Sequence, residues 1–456
     1  RKFFKAKNCS IVLMSTIKRI AKNTGIVFIG NNITKIFSFV LTIFLARYLG
    51  DKGFGVLSFA IAFTGLFAIV ADMGLQRLAI REIARDREKA GKYVGNSLIL
   101  KFALSIITFA LIALIINLMN YPKTSVYAVY IGALILIIES LGGTFQSAFL
   151  AFEKMEYSII PKIIRVIIRL SLTIPLLFLG FKVIAVLLAY LFVMFVDLII
   201  NYFFYTKKIG KIDFKFDAPF SKDLLKRSLP FAIATVFIVI YFKIDIIMLS
   251  IMKGDAVVGW YSAAYDLLES LHFLPLALTT AIFPIAARYF IENKQKLILL
   301  YEEAMRYMFY LAIPIAVGTT LIAPKIIPLI FGEQFLNSIY ALQVLIWVII
   351  PTFTIYVLGL AMVAINKEVL GMYTNLAAAV INVVLNLLLI PAYSYIGASI
   401  ATVACETILF IIDYVIISKY LGTINLLKIS YKPVFASAVM GISLFYLNFL
   451  NVFIMI

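Results

Sequence analysis

Ionisable side chains set inside long apolar stretches are where this sequence could do chemistry. Lys35 stands about midway along one such stretch, Lys243 and Asp245 lie two residues apart in another, and Asp266, Glu269 and His272 recur at every third residue of the next. A charge at the centre of a hydrocarbon layer costs about 2.5–3.5 kcal/mol even on lenient insertion scales, so each is expected to face a wet cavity or an opposite charge. Two residues correspond to about 200° around a helix, so Lys243 and Asp245 need partners elsewhere. The three-residue spacing puts Asp266, Glu269 and His272 on one stripe, placed to face Lys35 or Lys243 across the interface between two halves, either as a binding surface or as a structural ion network. Arg165 and Arg169 share a helix face, either as a paired guanidinium fork or as stems that snorkel to the interface. Lys35, Arg165, Arg169, Lys243, Asp245, Asp266 and Glu269 thus form the candidate binding set. Glu139, Asp197 and Glu406 are candidates for carrying a proton or cation, as is Asp413, and nothing in their spacing selects among them. Asp72 and Arg77 read as interfacial anchors or, alternatively, as headgroup binders, and Asn375, Asn382 and Asn386 as helix-to-helix hydrogen bonders.

Other chemistries lack their residues. Cys9 and Cys405 are the only cysteines and His272 the only histidine, so a disulfide framework, a thiolate or histidine metal site and a serine-hydrolase relay are all unsupported. No glycine-rich loop ends in Lys-Ser or Lys-Thr, so direct ATP use is unsupported too. We therefore expect no catalytic residue, no metal and no cofactor.

The elements that position these residues are membrane spans. Of the 456 residues 63% are hydrophobic and 14% charged, and the apolar residues come in blocks of the ~20–25 residues that a helix needs to cross a bilayer. Thirteen blocks stand near 23–46, 53–78, 94–118, 125–150, 161–180, 183–205, 229–252, 256–285, 305–330, 337–363, 369–391, 396–418 and 433–456. The formal charge of +18 follows the spans rather than a nucleic-acid face: with the N-terminus inside, the inner segments hold 29 Lys and Arg and the outer loops six. No cleavable signal peptide is evident, and Met14, which opens MSTIKRIAKN, reads as a start. The expected organisation is a cytoplasmic segment at 1–22, an N-lobe at 23–205, a basic linker at 206–228, a C-lobe at 229–418, and a linker with a last span at 419–456. The linker carries seven Lys or Arg and is expected either to be solvated or to lie on the anionic inner leaflet.

Displacing the sequence by 204 residues sets LARYLGDKGFGVLSFA from Leu45 on LSIMKGDAVVGWYSAA from Leu249, with six identities in sixteen positions. The match falls at the same point of the first hairpin of each half, which argues for duplication. Six spans separate the copies, so both insert in the same orientation, as parallel repeats. The fold class is an all-α polytopic membrane protein of two six-helix lobes related by that repeat, plus a C-terminal span.

At LARYLGDKGFGVLSFAIAF from Leu45, ADMGLQRLAIREIARD from Ala71, the basic linker, and NLLLIPAYSYIGASIATVACE from Asn386, the chain resembles the polysaccharide transporter (oligosaccharide flippase) family of the multidrug, oligosaccharidyl-lipid and polysaccharide exporter superfamily. The resemblance implies two lobes that alternate between inward-open and outward-open states and pass a prenyl-diphosphate-linked oligosaccharide across the cytoplasmic membrane, with the lipid tail left in the bilayer. On that reading Arg165 and Arg169 are suited to grip the diphosphate. It also implies membrane lipids and a glycan polymerase as partners; we expect a monomer, with no nucleic acid bound. Two other readings compete. Cation-coupled efflux of a drug or metabolite would favour acids over bases, which Lys35, Arg169 and Lys243 oppose. A membrane enzyme acting on the same lipids would need larger outer loops than these few residues.

Overall fold

A computed structural model describes the backbone of residues 2–454, and side chains within 23–446 apart from 24, 234, 238 and 368. The side chains of the expected cytoplasmic segment 1–22 and of the end of the last span lie outside the described residues. All regular structure among the described residues is helical: α1 (Lys2–Leu66), α2 (Ala68–Asp72), α3 (Leu75–Arg85), α4 (Ala90–Leu118), α5 (Lys123–Ala151), α6 (Met155–Phe178), α7 (Val183–Lys208), α8 (Ala218–Lys253), α9 (Asp255–Ser270), α10 (Phe273–Glu292), α11 (Lys294–Phe331), α12 (Ser338–Leu345), α13 (Ile349–Ala364), α14 (Glu368–Leu421) and α15 (Leu426–Ile454), with short 3-10 turns between some of them. Helices are what lipid permits, because every backbone donor must be satisfied within its own segment.

Nine helical stretches of the described residues are long and apolar enough to span a bilayer. Two of these, of 42 and 53 residues, hold two of the expected blocks each, and the chain reverses at Gly50 (φ 69°, ψ 178°) and at Ser394 (φ 54°, ψ −136°). α6 fails the same test because every window of its length contains Lys162, Arg165 and Arg169, and α15 runs into residues outside the described set. A break within the eighth block was not expected: α9 ends at Ser270 and α10 starts at Phe273, which places His272 in a turn rather than on the stripe of Asp266 and Glu269. Pro275, which has no N–H to return to Leu271, accounts for the interruption.

The chain clusters into two compact units, one of residues 1–44 and 63–236, the other of 45–62 and 237–456. In the first unit, the base is a core of Leu75, Leu78 and Ile83 of α3 with Phe145 and Phe149 of α5, Tyr205 of α7 and Leu224 of α8. The basic linker is tied to this base by its backbone, while the side chains of residues 206–208, 211 and 213–216 remain exposed. Asp213 donates its N–H to the Gly91 carbonyl, Asn96 binds the backbone of Lys215 and Asp217, and Lys92 Nζ reaches Asp217 Oδ2 at 2.7 Å. Close packing here depends on the glycine pair of α4, since a methyl group at Gly91 would come 2.6 Å from the Lys211 carbonyl oxygen and one at Gly95 would overlap that of Asp213.

The second unit contains both copies of the repeated hairpin turn. Gly254 (φ 87°, ψ 176°) adopts nearly the conformation of Gly50, 204 residues earlier, and left-handed values of this kind favour glycine. Gly259 packs on the Asp51 carbonyl and Gly55 on that of Asp255, so closely that a Cβ at either would overlap the oxygen. Such reciprocity is what two equivalent segments meeting about a two-fold produce. Trp260 Nε1 then donates to Asp51 Oδ2 at 3.1 Å.

Candidate functional site

In the first unit, α6 places Lys162, Arg165 and Arg169 at spacings of three and four residues, hence on one face. α5 brings Glu139, and α7 brings Tyr190, Asp197 and Asn201. Arg165 Nη1 stands 3.9 Å from Glu139 Oε1 and 3.8 Å from Asp197 Oδ2, beyond direct hydrogen-bond range, and Lys162 is in electrostatic reach of both acids. Asn201 Nδ2 donates to Asp197 Oδ2 at 3.1 Å. The Arg169 guanidinium lies 4.3 Å from the Tyr190 ring centre, a cation–π arrangement. Its Nε and Asp197 Oδ1 are buried with no hydrogen-bond partner among the described residues. Three cations therefore face two carboxylates, with guanidinium donors to spare. Glu139 and Asp197, expected as candidates for carrying a proton or cation, stand in the same cluster as the arginines. Lys162 is the member that sequence reasoning passed over, because it stands at the mouth of its span.

The second unit holds a site of opposite character. Asp245 of α8 is 6% exposed. Its Oδ1 accepts from Asn386 Nδ2 at 2.7 Å, and its Oδ2 from the hydroxyls of Tyr261 and Thr402, each at 3.0 Å. Asn386 also donates to Asn382 Oδ1 at 3.1 Å. Every one of these partners is neutral, and no Lys or Arg pairs with Asp245 among the described residues. These donors offset part or all of the burial cost of the carboxylate, and a proton or a small cation would neutralise the charge that remains. The donors on hand, one carboxylate with amide and hydroxyl oxygens, suit a hard monovalent ion. No group of three His, Cys, Asp or Glu that could hold a metal occurs among the described residues.

The remaining candidates are more dispersed. Glu269 and Lys243 lie within electrostatic reach of Asp266, and all three belong to the second unit. Glu406 accepts from Tyr241 Oη at 2.6 Å. Lys35 is exposed in the first unit and has no ion pair among the described residues. Asp72 is more than an anchor: its Oδ1 lies 2.6 Å from Nζ of the fully buried Lys101, which also donates to the Ser140 carbonyl at 2.9 Å.

A family model described as "Polysaccharide biosynthesis protein" matches residues 20–290. The chain is 24% identical over 417 residues to the "probable low-salt glycan biosynthesis flippase Agl15" of Haloferax volcanii, covering 91% of this chain and 86% of that one. It is 22% identical to the "lipid II flippase MurJ" of Bacillus subtilis, covering 93% and 88% of the two chains. Among solved structures, a lipid II flippase in an inward closed conformation superposes with a TM-score of 0.76 at 17% identity and 93% coverage of each chain. An inward-facing multidrug resistance transporter superposes with a TM-score of 0.70 at 18% identity, over 85% of this chain and 95% of that one. The structural likenesses carry the fold. With more than half of its length matched by that model, the chain belongs to the polysaccharide biosynthesis protein family.

Proposed function

We propose that this chain is a flippase that moves a prenyl-diphosphate-linked oligosaccharide across the cytoplasmic membrane by alternating access between two lobes, with its N-terminus in the cytoplasm. The observation that carries the reading is the surplus of cations over acids at Lys162, Arg165 and Arg169. Guanidinium forks recognise phosphate oxygens by paired hydrogen bonds, and Arg165 keeps its donors clear of the nearby carboxylates. The names of the relatives, flippases of glycan precursors and of lipid II, support the same substrate class. The neutral-walled Asp245 site suits the ion whose gradient drives transport. The chain acts as a transporter and not an enzyme; a glycan polymerase would supply or consume its cargo, and it works as a monomer.

The test is reconstitution. Liposomes containing the protein and a labelled prenyl-diphosphate oligosaccharide should show fast transbilayer exchange of the headgroup, at least tenfold slower with Arg165→Ala or Arg169→Ala. Exchange no faster than in protein-free liposomes, with several headgroups tried, would overturn the reading.

A further inference from the structure

Helix α3 is amphipathic. Leu75, Leu78, Ala79 and Ile83 are buried in the base of the first unit, while Arg77, Arg81 and Arg85, spaced four apart, form a stripe on its exposed side. Beside the stripe, three guanidiniums converge on one carboxylate oxygen: Glu82 Oε1 lies 2.7 Å from Arg227 Nη2, 2.9 Å from Arg81 Nε and 3.4 Å from Arg85 Nη1. Arg227 is shared with Asp223 at 3.3 Å, so the four guanidiniums of Arg77, Arg81, Arg85 and Arg227 meet only two carboxylates, Glu82 and Asp223, and two positive charges remain in excess. The side chains of Arg81 and Arg85 are 41% and 67% exposed, and Arg77 is exposed with no ion pair among the described residues. Nearby acids are engaged elsewhere, Asp86 by Lys89 at 2.6 Å and Glu153 by Arg87 at 3.5 Å. The stripe therefore carries a local excess of positive charge whose outward forks have free donors.

We propose that Arg77, Arg81 and Arg85 form a loading site for the diphosphate of the lipid-linked substrate on the cytoplasmic side, before it reaches the Arg165 and Arg169 cluster. Successive arginines rise about 6 Å along the helix, so neighbouring forks can each take one phosphate of a diphosphate. A diphosphate ester brings more negative charge than a phospholipid phosphodiester and matches the excess better. The α3 backbone is fixed by its buried face and by Arg227, so the forks are presented on a rigid element. This inference rests on the flippase reading and on its orientation.

The full chain in phosphatidylcholine nanodiscs is titrated with radiolabelled farnesyl diphosphate, both as wild type and with Arg165→Gln/Arg169→Gln so that the inner cluster does not mask the stripe. Arg81→Gln/Arg85→Gln should weaken binding at least tenfold in both backgrounds, with the fold retained because the buried face of α3 and the Glu82–Arg227 pair remain, as circular dichroism of the same samples checks. Arg81→Lys/Arg85→Lys should fall between, since lysine keeps the charge and loses the fork. Unchanged affinity in the glutamine variant, lysine variants equal to wild type, or phosphatidylglycerol competing as well as the diphosphate would each overturn the loading site. Headgroup exchange separates the two claims. Exchange unaffected by the α3 variants sinks the loading site alone, whereas stripe-dependent binding without exchange sinks the flippase reading.

Discussion

Replacing Asp245 by Asn removes a carboxylate that is 6% exposed and hydrogen-bonded only to the neutral groups of Asn386, Tyr261 and Thr402 among the described residues. An uncompensated buried charge costs about 3–5 kcal/mol, and hydrogen bonds to a charged group return about 1.5–3 kcal/mol each. Three such bonds return about 4.5–9 kcal/mol and can offset that cost by themselves, and a bound cation would add to it: at 100 times its dissociation constant a ligand raises stability by about 2.7 kcal/mol. Purified protein is melted in sodium, potassium and choline chloride at equal ionic strength. Wild type should show a saturable rise in one alkali salt over choline, and Asp245→Asn should show none. Thr402→Val removes one oxygen of the set and should weaken the apparent ion affinity about tenfold, the equivalent of one hydrogen bond of about 1.4 kcal/mol. Equal melting of wild type in all three salts, or an ion-dependent rise that survives in Asp245→Asn, refutes the reasoning.

Lys101→Ala should cost about 3–5 kcal/mol, since it strands Asp72 beside a fully buried site, while Lys101→Met/Asp72→Asn recovers most of the loss; denaturant unfolding of single and double variants measures the coupling. Gly259→Ala and Gly55→Ala force a methyl group into the facing carbonyl and should each destabilise by about 1–3 kcal/mol, whereas Gly359→Ala, with open space around it inside α13, should be neutral or stabilising by up to about 1 kcal/mol; thermal melts compare them. Burial pushes the Glu82 carboxyl up, but hydrogen bonds and charge from Arg227 and Arg81 outweigh it and hold the group below its usual value of 4.5. A depressed carboxylate stabilises the fold fully above that value and loses the contribution as pH falls through the lowered one, so Glu82→Gln should flatten the acid limb of a stability–pH curve and lower stability at neutral pH.

Hydropathy revealed the spans because the solvent imposes them: a backbone in lipid must be helical and long, and blocks of that length are visible without tertiary knowledge. The turn between the first two spans was legible as well, since Gly50 and Gly254 need the left-handed conformation and the 204-residue displacement aligns them. Site residues were legible as types and not as partnerships. The shared face of Arg165 and Arg169 follows from four-residue spacing, but their nearness to Glu139 and Asp197 depends on how α5, α6 and α7 pack, about which local periodicity is silent. The Asp245 set shows the same limit more sharply: α8, α9 and both arms of α14 supply it, and only Asn382 and Asn386 are related by helical spacing. One signal was present and went unused. Gly91 and Gly95, four apart in GKYVG, form the small-residue face that admits a close backbone, and here that backbone is the linker. Small residues at that spacing beside a charged connector thus argue for a docked backbone, even where the connector's side chains stay exposed. The docking fixes the linker to the first unit at Gly91, Asn96 and Glu82, so the charges it carries are held beside α3 and α4.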